Sequence, residues 1–304
     1  MALTVGPVLY HWPRATLLHF YADLADSAAD TIVLGEAVCA RRRELRLDDW
    51  LALARELQAA GKEVVLVAQT LIETEADLRL LERQGEQQAF AVEAGDASAL
   101  HLLAGRVPLV LGSHLNIYSR EALVEHADLG ATRWVAPVEL ALGALALINP
   151  PADPVRTPQG EAITTEAWAF GRLPLAFSAR CFTARHHRVG KDDCGYPCLS
   201  DPDGLLLAST EGQPFLTLNG TQTQSATVQN LLGDAQALHD AGVARLRLSP
   251  CSRGFTQVLR DFDAVMNAGQ PAAGCADAWN ELGVPGPFSN GYARRLPGMV
   301  WSDA

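Results

Sequence analysis

Short runs dominated by Val, Ile and Leu recur along the chain with segments of helical periodicity between them, an alternation that predicts parallel strands joined by crossover helices. The predicted strands are residues 7–11, 31–35, 63–68, 89–92, 109–112, 133–136, 174–178 and 244–248. Most of these runs are continuously apolar, as a sheet covered on both faces requires. The helices carry start and stop chemistry: Asp48 caps DDWLALARELQAA before Gly61, Thr74 and Asp77 form a capping pair before Gly85, and Ser119 precedes REALVEHADL and Gly130. A further helix is predicted over residues 225–240, stopping at Gly242 and feeding the eighth strand through a short loop. Eight such units define an α/β fold, a (β/α)8 TIM-barrel-like architecture. The alternative is an open doubly wound sheet, but no Gly-x-Gly-x-x-Gly follows a strand to mark its dinucleotide crevice.

Two regions exceed a bare barrel. Residues 179–224, a long cysteine-bearing insertion after strand 7, are too many for a plain strand-to-helix connection and are therefore expected to be functional. Their second half, DGLLLASTEGQPFLTLNGT, has two apolar runs about a Glu-Gly-Gln-Pro turn and predicts a hairpin. The expected organisation is a barrel over residues 1–270 carrying that insertion, with residues 271–304 as a Gly- and Pro-rich extension packed on the barrel.

Composition narrows the setting. At 48% hydrophobic and 19% charged, the 304 residues are those of a globular chain. The net charge of −11 repels phosphate backbones, so nucleic acid is not an expected partner. No apolar stretch approaches the ~20 residues of a membrane span. The first thirty residues show no basic leader followed by an apolar core, so a cytoplasmic protein is expected. In that reducing compartment the six cysteines read as ligands, reactive thiols or buried small hydrophobes rather than as disulfides.

Four of them form a constellation. Cys39 stands four residues past the second predicted strand, while Cys181, Cys194 and Cys198 lie in CFTARHHRVGKDDCGYPC, a Cys-x12-Cys-x3-Cys spacing just past the seventh. Loops at the C-terminal ends of barrel strands share one face, so folding can gather all four. Four thiolates suit a metal or an iron–sulfur cluster. Zinc is the competitor, although a zinc ribbon has two short knuckles and only one is present here. Arg41, Arg42 and Arg43 follow Cys39, and Arg180, Arg185, His186, His187 and Arg188 surround Cys181. Such cations would stabilise an anionic cluster, yet the Arg41–Arg43 run by itself reads as a solvated helix start, and His186 and His187 as exposed loop residues. Cys275 reads as a buried hydrophobe. Cys251, in SPCSRG beyond the eighth strand, reads as structural, with ligand or reactive thiol as the alternatives.

Polar residues at the strand ends, His11, Glu36, Gln69, Glu93, His114, Asn116, Glu139 and Arg180, each read as a cap or a rim hydrogen bond; together they suggest a polar pocket for a small molecule. No catalytic residue is assigned, because no nucleophile elbow, Ser-His-Asp order, phosphate loop or His-Glu-x-x-His motif is present.

With GEAVCARRREL around Cys39, SARCFTARHHRVGKDDCGYPC, EGQPFLTLNGTQTQS and RLSPCSRGF in place, the chain resembles, over essentially its whole length, a ubiquinone-biosynthesis branch of the group historically called the U32 peptidase family. The resemblance implies a [4Fe–4S] cluster held by Cys39, Cys181, Cys194 and Cys198. It further implies a heterodimer with a sister protein, UbiU, and a role in oxygen-independent ring hydroxylation of a quinone precursor, with prephenate as the candidate oxygen donor. An RNA-modifying relative and a structural zinc protein are the alternatives. Peptidase activity is not expected, since no activated nucleophile or metal-bound water is visible.

Overall fold

The computed structural model describes residues 1–303. Its first half comprises β1 (Ala2–Val5), α1 (Arg14–Ala25), β2 (Thr31–Leu34), α2 (Leu47–Ala59), β3 (Glu63–Val67), α3 (Glu75–Glu86), β4 (Ala91–Ala94), α4 (Ala97–Leu103), β5 (Leu109–Leu111), α5 (Arg120–Ala127), β6 (Ala131–Val135) and α6 (Leu142–Ile148). There follow β7 (Thr164–Phe177), α7 (Phe182–His186), β8 (Leu205–Ala208), β9 (Pro214–Asn219), β10 (Gln222–Asn230), α8 (Ala235–Asp240), β11 (Val243–Leu248), α9 (Phe255–Met266), α10 (Cys275–Glu281) and β12 (Phe288–Ser289). Strands β1 to β7 run parallel in order, and β11 pairs with both β1 and β7, so the eight close into a barrel. The chain is thus a (β/α)8 TIM-barrel-like α/β protein.

Alternation along the strands divides the core in two. Leu3, Val5, Ile32, Leu34, Leu246 and Leu248 point outward into a cluster completed by Leu17 and Tyr21 of α1 and Val258, Leu259 and Phe262 of α9. The inward positions mix apolar residues, among them Val33, Val65, Val110, Val135 and Trp168, with charge. Arg247 on β11 forks across the barrel to Glu93 on β4 at 2.9 and 2.6 Å, and its Nε donates to Glu166 on β7 at 2.6 Å. Its guanidinium carbon lies 5.6 Å from the Trp168 ring centroid. Arg133 then links Glu166, at 3.8 Å, to Glu63 at 2.6 Å, and Arg245 meets Glu63 at 3.0 Å. Three guanidinium groups and three carboxylates form one alternating, charge-balanced chain, which is the arrangement in which buried ions are tolerated.

The structure corrects several boundaries. The first strand is Ala2–Val5, not residues 7–11. That later run is apolar because Val8, Leu9, Tyr10 and Trp12 are buried in the loop beyond the strand. The seventh strand begins at Thr164, ten residues before its predicted start at residue 174, and serves three partners. Its first half is a barrel strand between β6 and β11, and residues 170–177 pair antiparallel with β10. No helix occupies residues 225–230: β10 runs through them, and α8 covers only Ala235–Asp240. The run QTQSATVQN is rich in Thr and polar alternation, so strand pairing prevails over the helical pattern read into it.

Other expectations hold. β8 and β9 form the predicted antiparallel hairpin. Thr74 and Asp77 cap α3 reciprocally, at 2.9 and 3.3 Å, and Ser119 caps α5. In α2 the helix starts one residue before Asp48, with Arg46 in the cap position and its N–H bonded to Asp49 at 2.9 Å. In the C-terminal segment Trp279 stacks on Phe262 with centroids 6.2 Å apart, and β12 pairs with β10.

Arg247→Leu leaves Glu93 and Glu166 buried without their cation and is expected to destabilise the fold by about 3–5 kcal/mol. Chemical denaturation checks this, and an unchanged midpoint would mean that the carboxylates find other partners.

Candidate functional site

The loops that follow β2 and β7 meet over the C-terminal mouth of the barrel, joined by the β9–β10 turn. Asn219 and Gln222 pair across a two-residue loop, with Gly220 at φ 63°, the position where a type II′ hairpin turn carries glycine. From this turn hydrogen bonds run in two directions. Toward the β2 loop, the Thr221 hydroxyl donates to the Val38 carbonyl at 2.6 Å and the Asn219 carboxamide oxygen accepts from Arg42 at 2.8 Å. Toward α7, the Gly220 carbonyl accepts from the Phe182 N–H at 2.8 Å, and the Gly220 N–H donates to the Thr183 hydroxyl at 2.9 Å. The turn thereby fixes the segment bearing Cys39 against the segment bearing Cys181.

Residues 191–198 fold back onto the same place. Arg41 bonds Asp192 at 3.2 Å, the Tyr196 hydroxyl donates to the Arg41 carbonyl at 3.1 Å, and Lys191 contacts Glu73. Cys181 Sγ caps α7 by accepting the Ala184 N–H at 3.4 Å. Cys198 Sγ lies 3.5 Å from His11 Nδ1, and His11 Nε2 is 3.3 Å from Glu44. All four cysteines are free and half-buried. Burial pushes the Cys39 thiol up; the Arg42 charge opposes this, and the nearby Cys181 adds to it. Burial likewise raises Cys198, with Arg42 opposing through its charge and a loose side-chain hydrogen bond, and with Cys181 and Cys194 both adding. Cys181 thus neighbours both Cys39 and Cys198, and Cys194 neighbours Cys198. Among the described residues, no three His, Cys, Asp or Glu side chains converge tightly enough to hold a single metal ion.

The cations separate sharply. Arg180, Arg185, His186, His187 and Arg188 are exposed, whereas Arg42 is buried, correcting its reading as part of a solvated helix start. Its only sequence signal was adjacency to Cys39. Cys251 is buried apart from the four, its Sγ donating to the Arg253 carbonyl at 3.1 Å, and burial with Asp203 raises its pKa. Cys275 is half-buried at the start of α10.

The strand-end polar residues do not share one pocket. Glu93 lies inside the barrel on Arg247, not at the mouth. Glu36 accepts the Val38 and Cys39 N–H groups at 2.8 and 3.1 Å, shaping the loop that carries Cys39. Gln69 is buried with its carbonyl oxygen unpartnered, and Arg180 is exposed. His114 packs edge-on against Phe177 at 4.9 Å, near Tyr118, whose hydroxyl bonds both Asn116 and Glu139. A cavity of about 10 Å³, lined by Tyr10, His11, Glu36, Arg42 and Glu44, adjoins the thiols and has room for one water. Sequence reasoning missed the pairing of His11 with Glu44, which spans two strands, and the clamp at Gly220. The Asn-Gly dipeptide was the available signal for the latter.

A closed barrel with a thiol-lined mouth is the class of protein that fold and site define. Residues 18–268 match the model of peptidase family U32, and the chain belongs to that family. Among solved structures it is similar to the U32 peptidase Mk0906, at 11% identity and a TM-score of 0.45, covering 83% of this chain and 94% of that one. It is also similar to Burkholderia cenocepacia dihydropteroate synthase complexed with 7,8-dihydropteroate, at 15% identity and a TM-score of 0.43, covering 88% and 93%. Among the described residues no helix is long and apolar enough to cross a membrane.

A Cβ at Gly220 would stand 2.8 Å from an Arg42 guanidinium nitrogen and would force a side chain into the left-handed region. Gly220→Ala is therefore expected to lose about 1–2 kcal/mol by denaturation, from backbone strain alone, and to speed alkylation of Cys39 and Cys198. Burial holds His114 down to about 4, with Glu139 opposing and Arg247 adding. A depressed histidine contributes stability that is complete above its unfolded pKa of 6.5 and is lost as pH falls toward the folded value. His114→Gln is expected to flatten the fall in stability between pH 6.5 and 4, measured by denaturant midpoints across that range.

Proposed function

We propose that this chain is a UbiV-type iron–sulfur subunit required for oxygen-independent ring hydroxylation in ubiquinone biosynthesis. In this reading Cys39, Cys181, Cys194 and Cys198 hold a [4Fe–4S] cluster, UbiU is the heterodimer partner, and a quinone precursor and prephenate are the small-molecule ligands. The observation that carries the reading is the junction at the barrel mouth, where the loops that follow β2 and β7, clamped by the Gly220 turn, carry four free half-buried thiols and the buried Arg42. The donor set fits the group. Four thiolates on one zinc must each reach ~2.3 Å from a single point, whereas a cubane takes each thiolate on a different iron and so spaces them more widely. Four free thiols gathered from two loops match the four-thiolate set of a cluster, and their spacing has only one of the two short knuckles of a zinc ribbon. When bound, such a cluster supplies one-electron transfer at a potential tuned by its surroundings. The chain's own residues orient the thiols through the Gly220 turn and Glu36. The net charge of −11 gives no support to RNA binding.

A second reading has one observation in its favour. The connection from Cys198 to His11 to Glu44 has the order of a thiol hydrolase triad. Burial raises the Cys198 thiol, however, and a hydrolase needs the thiolate.

Protein purified under strict anoxia is expected to be brown, with about four irons and matching acid-labile sulfide per chain. Cys39→Ser and Cys181→Ser are expected to lose most of that iron while keeping the barrel fold, and to abolish anaerobic quinone synthesis in a complementation assay. Colourless, zinc-bearing protein would overturn the cluster reading. Iodoacetamide-sensitive peptide hydrolysis by iron-free protein would favour the hydrolase.

A further inference from the structure

Arg42 is a buried cation without a close anion. Its side chain is 1% exposed, and the nearest carboxylate, Glu36, stands 3.9 Å away with one oxygen already accepting the Val38 and Cys39 N–H groups. Arg247 shows the contrast: it is equally buried and holds two carboxylates at 2.6 Å. Neutral acceptors fix Arg42 in place, the Leu9 carbonyl and the Asn219 carboxamide each at 2.8 Å, and its Nε has no partner. Arg41 and Arg43 do not share this position, since one pairs with the exposed Asp192 and the other bonds only the Ala40 carbonyl. A buried ion that lacks a tight partner is costly, so the fold retains Arg42 at a place where the compensating anion must come from elsewhere.

The geometry points to Arg42 as the positioning residue of the thiolate site: its guanidinium, carried by the loop that bears Cys39 and lining the same cavity as His11, which touches Cys198, supplies the positive charge that retains the cluster and raises its reduction potential. This inference rests on the cluster reading above. Arg42 donates its backbone N–H to the Cys39 carbonyl at 2.9 Å and shares a small cavity with His11, whose Nδ1 lies 3.5 Å from Cys198 Sγ, so a single residue connects ligand segments from opposite sides of the junction. Reduction adds an electron to an already anionic cluster, and a fixed neighbouring cation favours that state. Net charge and hydrogen bonding to the sulfurs are the levers by which proteins set such potentials. Because guanidinium stays protonated at all accessible pH, the effect does not depend on a titration.

The test is an anaerobic redox titration, followed by EPR, on wild-type protein, Arg42→Gln, Arg42→Lys and the control Arg43→Gln. Iron and sulfide analysis of the wild type comes first, and their absence there sinks the cluster reading itself. With the cluster present, Arg42→Gln is expected to shift the midpoint to more negative potential and to lose iron to a chelator about 10-fold faster. Arg42→Lys should stay near wild type, and Arg43→Gln should be unchanged. Loss of the cluster from Arg42→Gln with retention in Arg42→Lys also supports the role of charge. A wild-type potential in Arg42→Gln, an equal shift in Arg43→Gln, or loss of the cluster from both Arg42 variants would overturn it, the last because fork geometry rather than charge would then decide.

Discussion

The hydrogen bonds that radiate from the turn between β9 and β10 are the constraint on which the site depends. Cys39 and Cys181 are separated by most of the barrel in sequence, and neither loop has secondary structure long enough to aim a sulfur unaided. Thr221 and Asn219 hold one loop while Gly220 holds the other, and only glycine permits both the left-handed backbone and the approach of Arg42. The hairpin that makes this turn is therefore a clamp. Its position follows from the length of β7, whose second half leaves the barrel and offers β10 an antiparallel edge.

Charge is handled in two different ways within one fold. The buried Arg247, Arg133, Glu93 and Glu166 continue to Glu63 and Arg245 at the barrel's edge, so every ion of the chain has a partner at short range and the set is neutral. At the mouth, Arg42 has only neutral acceptors and one carboxylate at arm's length. A low dielectric amplifies both arrangements. In the first it stiffens the scaffold; in the second it leaves a guanidinium without a tight counter-charge. The scaffold is that of a U32 family member, and the four thiols and Arg42 stand together at its mouth.

Much of this was legible in the chain. Apolar runs such as TIVL and EVVLV mark the barrel strands because both of their faces are covered, and Thr74 and Ser119 announce their helices because a cap acts over only three residues. The spacing of Cys181, Cys194 and Cys198 beyond one strand, and of Cys39 beyond another, was enough to put all four on the same face. Local signals failed where a segment's partner was distant. QTQSATVQN carries no clear apolar period and became a strand because β7 and β9 flank it. Residues 7–11 were apolar for packing in a loop rather than for pairing.

The sequence by itself determined the fold class and the loops that bear the thiols, because periodicity and connection length are short-range properties. Tertiary structure alone decided that Glu93 belongs to an internal ionic chain, that His11 reaches from Glu44 to Cys198, and that of three consecutive arginines only Arg42 turns inward. Those outcomes depend on burial and on partners far away along the chain, and neither is encoded in the composition of the segment that carries the residue.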